Sequence, residues 1–179
     1  MNTNLDTFLI SSCEGQKLVI ELLDLLKSRG ERLCTAESCT GGLIASEIVR
    51  VPGSSEAFDG GVVSYSNEVK HNILGVSEEA LNNFGAVSSE VVGQMAMGAL
   101  KKFNCDYAVA TSGIAGPGGG TAEKPVGLVW FGIASKQGLK TFYNIFQGNR
   151  TEIREKSVFY VLNKLFEIIV QNTTCTFVQ

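Results

Sequence analysis

The sequence predicts a single α/β domain, with about five strands in one mixed sheet and helices on both faces. Three observations carry this. Helical stretches with a spaced apolar face alternate with short apolar runs, the pattern of a chain winding across a largely parallel sheet. Two late apolar runs are joined by a Gly-containing turn, which makes a hairpin and so an antiparallel pair. The chain has 179 residues, the usual size of one domain with a real core.

The elements follow in order. From Glu14 to Arg29, apolar residues at Leu18, Ile20, Leu22, Leu23, Leu25 and Leu26 have helical spacing, and Gly30 ends the helix. RLCTAES reads as a short buried strand and GGLIASEIVRV as a short helix stopped by Pro52-Gly53. FDGGVVSYSN is the second strand, with Gly60-Gly61 marking a bulge or a close backbone approach. Residues 67–86 form a helical connection in two short pieces. Ser88 or Ser89 caps a long helix that ends at Asn104. DYAVATSG is the third strand, followed by IAGPGGGTAEKP, which has no periodicity. PVGLVWFGIAS and LKTFYNIFQG form the hairpin around Lys136–Gly138, and a final helix runs from about Arg150 to Val170.

Composition narrows the function classes. A formal net charge of −3 and an isoelectric point near 5.2 argue against nucleic acid as a partner, which calls for a basic patch. Twenty glycines beside three prolines suggest backbone-lined loops. The five cysteines (Cys13, Cys34, Cys39, Cys105 and Cys175) form no C-x-x-C pair, and His71 is the one histidine, so no metal site is expected. The N-terminus lacks the cationic and apolar regions of a signal peptide, and no run is long enough to span a membrane. The N-x-T triplets at Asn149 and Asn172 mean little without secretion. A reduced, cytoplasmic setting is expected.

In such a sheet, ligands bind beyond the carboxyl ends of the strands. Three loops gather there: ESCTGG, SYSNEVK and TSGIAGPGGG. In the first, Ser38 or Thr40 is a helix cap on the ordinary reading. On the functional reading, Ser38 is a candidate nucleophile or a ligand contact at the strand end, and Gly41 and Gly42 offer amides to a phosphate or carboxylate. Cys39 has no basic partner in view and reads as packing. In the second loop, Lys70 is a solvated surface lysine or, in a chain without a usable histidine, the base of a Ser-Lys pair. Tyr65 stands on the same loop and would relay or orient a proton. In the third, glycines 113, 116, 118, 119 and 120 form either a flexible loop or an anion-holding nest of amides after Thr111 and Ser112. The loop lacks the G-K-[ST] of a P-loop and the helix context of a dinucleotide fold, which disfavours ATP hydrolysis and NAD redox chemistry. Arg150 and Arg154, one turn apart, either clamp a phosphate or lie on a solvated face. Asp59 and Asp106 lack a second carboxylate at a telling spacing.

TAESCTGG, VPGSSEAFDGGVVSYSNEVK, GAVS, GIAGPGGG and KPVGLVW, in this order, resemble the CinA C-terminal domain family over about residues 14–170. The resemblance implies one domain, 1–179, with the fold of a three-layer α/β/α sandwich on a mixed five-stranded sheet. It implies an amidohydrolase that deamidates nicotinamide mononucleotide to nicotinate mononucleotide and ammonia in pyridine nucleotide salvage. The family's catalytic positions fall on Ser38, Tyr65, Lys70 and Ser112. Substrate contacts are expected from Thr40, Gly41, Gly42, Ser66, Gly113, Gly116, Gly118, Gly119 and Arg150. Lys70 would take the Ser38 proton, with Ser38 either forming an acyl intermediate or positioning a water, and Ser112 or loop amides would hold the oxyanion, with no metal or redox cofactor. The pyrophosphatase domain of many relatives is expected to be absent. A homo-oligomer, dimer or higher, is expected, with Leu128 to Ile133 serving either a dimer interface or the core. Two other classes compete: a non-catalytic nucleotide-binding regulatory module, and an interaction protein for competence or DNA-damage machinery. Ammonia release from nicotinamide mononucleotide separates them.

Overall fold

A computed structural model describes residues 9–175. The chain runs α1 (Cys13–Arg29), β1 (Leu33–Glu37), α2 (Leu43–Val49), a 3₁₀ turn (Ser54–Glu56), β2 (Phe58–Val63), α3 (Asn67–Leu74), α4 (Glu78–Phe84), α5 (Ser89–Phe103), β3 (Tyr107–Gly113), β4 (Leu128–Ser135), β5 (Gly138–Ile145) and α6 (Arg150–Cys175). The strands form one sheet in the order β2-β1-β3-β4-β5. The pairs β1–β2 and β1–β3 are parallel, and β3–β4 and β4–β5 are antiparallel. The expected mixed five-stranded α/β architecture is therefore present.

The strands sort their side chains by size. Leu33, Tyr107, Val109, Val129, Phe131 and Ile133 face one side, where they pack on Leu22, Leu26, Ile44, Ile48 and Leu162 of α1, α2 and α6. Cys34, Ala36, Ala108, Ala110 and Ala134 face the other, against Val91, Val92, Met95, Ala96 and Ala99 of α5. Period-2 alternation of large and small residues thus makes one thick apolar layer and one thin layer. The thin side brings backbones close: a Cβ on Gly132 would lie 2.7 Å from the Val92 carbonyl oxygen. Gly98 of α5 is tighter, since a Cβ there would sit 1.8 Å from the carbonyl oxygen of Leu74. Gly98→Ala is expected to destabilise the protein by about 1–3 kcal/mol through overpacking, read as a lower urea midpoint.

Local signals work as read, with particular owners. Gly30 closes α1 in the left-handed region at φ 62°. Ser88, not Ser89, caps α5, its side chain accepting from the Val91 amide. Both readings of Gly60-Gly61 hold. The β1–β2 register shifts between Leu33 and Cys34, and a Cβ on Gly61 would strike the Thr35 hydroxyl at 2.0 Å. The hairpin strand Leu128 to Ile133 belongs to the core: β4 lies inside the sheet, with Val129 and Phe131 fully buried. The edge beside β4 is β5, where Leu139, Tyr143 and Ile145 are exposed. No helix among the described residues is long and apolar enough to cross a membrane.

Candidate functional site

The parallel strands β1 and β2, and β3 beside them, end at one edge of the sheet. The loops leaving them enclose a cavity of about 200 Å³. Ser38, Cys39, Tyr65, Asn67, Lys70, Val87, Ser112, Gly113, Ala115 and Arg150 line it. Four residues named from sequence as catalytic (Ser38, Tyr65, Lys70 and Ser112) therefore meet in one place, together with Arg150. A larger hollow of about 650 Å³ opens beside it, between Phe84, Trp130 and Tyr143. That hollow is a mostly apolar groove, and Ser38 and Lys70 are not among the residues that line it.

Lys70 lies on α3, whose first turn is fixed by Ser66, accepting from the Val69 amide. Its side chain is almost fully buried, at 1% exposure. Nζ donates to the Ser64 carbonyl at 2.8 Å and lies 3.0 Å from Ser38 Oγ. Among the described residues no carboxylate forms a salt bridge with it, and burial holds its pKa below the ordinary lysine value. As an ammonium, Nζ donates to Ser38. Once neutral, it keeps its bond to Ser64 and turns a lone pair on the Ser38 hydroxyl, the geometry of a general base. The Ser64 carbonyl, rather than Tyr65, orients the lysine. Tyr65 is exposed, and its hydroxyl accepts from Arg150 Nη2 at 3.1 Å.

Ser112 stands across the cavity, with its hydroxyl donating to the Ala86 carbonyl at 2.6 Å. A carbonyl cannot donate, so the one Ser112 proton is committed and the oxygen offers lone pairs to a ligand. In this arrangement the Ser112 oxygen is free to accept a hydrogen bond, while its proton is held by the Ala86 carbonyl. Arg150 is held by Gly116, whose carbonyl accepts from Nη1 at 2.8 Å. This leaves further guanidinium N–H groups for an anion. Cys39 also lines the cavity, but burial pushes its thiol up to about 12, so it stays protonated and unreactive.

Several expected contacts lie elsewhere. Thr40 is fully buried, and its hydroxyl bonds that of Thr111 at 2.8 Å. Its carbonyl accepts from Nε and Nη2 of Arg154, which ties that arginine to the turn and not to the cavity. Gly41, Gly42, Ser66, Gly116, Gly118 and Gly119 are outside the cavity wall. Neither Ser38 nor Thr40 caps α2. The amides of Ile44 and Ala45 donate instead to the carboxylate of Glu37, at 3.0 and 2.9 Å. The helix end that was expected to receive a substrate anion already holds an anion of the protein. Sequence reasoning missed Glu37 because a cap is sought immediately before its helix, and this one reaches from the preceding strand. Among the described residues, no group of three or more His, Cys, Asp or Glu is placed to hold a metal ion.

The CinA C-terminal domain model matches residues 15–169. The chain belongs to the CinA C-terminal domain family. The nicotinamide-nucleotide amidohydrolase PncC of Escherichia coli K12 is 50% identical over 165 residues, which is 92% of this chain and all of that protein. A putative competence-damage inducible protein of Caldicellulosiruptor saccharolyticus is 48% identical over 161 residues, 90% of this chain. The match spans only 39% of that relative's length. The crystal structure of the competence/damage inducible protein CihA from Agrobacterium tumefaciens superposes with a TM-score of 0.83 at 43% identity, covering 85% of this chain and 93% of that one.

Proposed function

We propose that this CinA-family chain deamidates nicotinamide mononucleotide to nicotinate mononucleotide and ammonia, a reaction of pyridine nucleotide salvage. One observation carries the reading: a buried lysine without a carboxylate partner, 3.0 Å from a serine hydroxyl on the wall of an open cavity. Burying a lysine is costly, and a solvated surface role does not require it. That geometry favours chemistry over a nucleotide-binding module without turnover, and the named activity of the PncC relative supplies the substrate class.

Neutral Lys70 takes the Ser38 proton as Oγ bonds the carboxamide carbon. The C–N bond then breaks, and ammonia leaves with the proton returned by Lys70. Water, activated by the same lysine, hydrolyses the resulting ester and restores Ser38. Ser112 accepts from the carboxamide N–H₂ and so marks the side on which nitrogen departs. The oxyanion falls to backbone amides of the cavity wall, that of Cys39, directly after the nucleophile, being adjacent in the chain. A cavity of about 200 Å³ suits the carboxamide-bearing ring, while the ribose and phosphate extend toward Tyr65 and Arg150.

Incubation with nicotinamide mononucleotide should release ammonia and nicotinate mononucleotide in equal amounts. Nucleotide that binds and is recovered unchanged would overturn this reading. Arg150→Ala is expected to raise KM by ~10-fold or more with a smaller change in kcat, since a charge-assisted contact is worth ~1.5–3 kcal/mol. Steady-state kinetics over a range of nucleotide concentrations separates the two constants.

A further inference from the structure

We infer that Glu37 is a positioning residue for the Ser38–Lys70 pair, an inference that rests on the reading of that pair given above. Glu37 is the last residue of β1, adjacent to Ser38, and is 1% exposed. A buried carboxylate persists only where its oxygens are satisfied. Here Oε2 accepts from the Ile44 amide at 3.0 Å. Oε1 accepts from the Ala45 amide at 2.9 Å and, more weakly, from the Thr35 hydroxyl at 3.4 Å.

The chain between these ends is the Ser38–Gly42 turn. Gly41 and Gly42 adopt φ 60° and 89° there, in the left-handed region that favours glycine. The carboxylate clamps the turn by joining the strand that enters it to the helix that leaves it. A serine or aspartate at the ordinary cap position would hold only the helix side. Glu37 bridges seven and eight residues of sequence to reach the amides, and so closes the loop that presents the Ser38 hydroxyl.

The same residue reaches the other partner through its main chain. The Glu37 carbonyl accepts from the Ser64 amide at 2.8 Å, and the Ser64 carbonyl accepts from Lys70 Nζ. One residue thus sets the position of the serine through its side chain and of the lysine through its backbone. Displacing a reacting group by about 1 Å can cost ~100-fold in rate, and the Glu37 side chain joins the end of β1 to the start of α2 across the turn.

The test is Glu37→Gln, which keeps size but sets an N–H₂ against one of the two helix amides. Enzyme that is folded by circular dichroism, assayed well below its Tm, is expected to lose ~10–100-fold in kcat. KM for nicotinamide mononucleotide should stay within ~3-fold, because the substrate contacts are elsewhere. Should Glu37→Gln not fold, Glu37→Asp takes its place with the same expectation, since it keeps the charge and gives up one methylene of reach. A lower Tm with unchanged kcat per folded enzyme would make Glu37 a structural cap only and overturn the inference. A raised KM with unchanged kcat would overturn it in favour of substrate binding. A wild type that does not turn over overturns the amidohydrolase reading and this inference with it, whereas an active wild type beside an equally active variant overturns this inference alone.

Discussion

Ser38→Ala is expected to abolish ammonia release, with kcat lowered by ~10³-fold or more, while nicotinamide mononucleotide still binds. Loss of a nucleophile removes the bond-forming atom, and what remains is the modest acceleration due to binding and oxyanion contacts. The change is small for the fold. Ser38 Oγ has Lys70 as its hydrogen-bond partner, and Lys70 keeps the Ser64 carbonyl. Isothermal titration with the nucleotide, beside single-turnover kinetics, distinguishes a site that binds without reacting from one that has collapsed. Turnover that survives the substitution would assign attack to water directly activated by Lys70.

Lys70→Met is the second large effect, and it carries a pH signature. Removing a general base typically costs ~10²–10⁴-fold. Because burial holds the Lys70 pKa below its ordinary value, the neutral amine becomes available at lower pH than in free lysine. The wild-type kcat/KM should therefore rise with pH to a plateau reached before the ordinary lysine pKa of ~10.4, and the variant should lack this limb. Stability is linked with the same sign. Between the lowered folded pKa and ~10.4, the unfolded chain binds a proton that the folded chain does not, so wild-type stability rises with pH across that window. Below the window, the charged buried lysine imposes its full penalty. Lys70→Met removes the slope, which urea unfolding at pH 7 and pH 9.5 measures as a shift in the wild-type midpoint without its counterpart in the variant.

Much of the fold is legible in the chain because its signals are local. The leucine spacing of α1, the Ser88 cap of α5 and the hairpin turn each act over a few residues; the turn, read over Lys136–Gly138, occupies Lys136 and Gln137, with Gly138 opening β5. The convergence of Ser38, Lys70 and Ser112 is also legible, since strands β1 and β3 must end at one edge. What could not be read depends on reach across the fold. Glu37 looks like an ordinary strand residue until α2 folds back over it. Thr40, two residues after Ser38, turns inward to Thr111. The single proton of Ser112 is assigned only once the Ala86 carbonyl is placed beside it. The Arg150–Arg154 pair is split in the same way: one arginine opens on the cavity and the other grips the Thr40 carbonyl.

In the proposed mechanism Ser38 and Lys70 act as a unit. The most direct test is a double-mutant cycle on kcat/KM for nicotinamide mononucleotide, with Ser38→Ala, Lys70→Met and the double variant all folded. Groups that perform one proton-coupled step are strongly non-additive, so the double variant should be no slower than the slower single variant, within ~3-fold. Losses that multiply in the double variant would contradict the account and separate the serine and the lysine into independent roles.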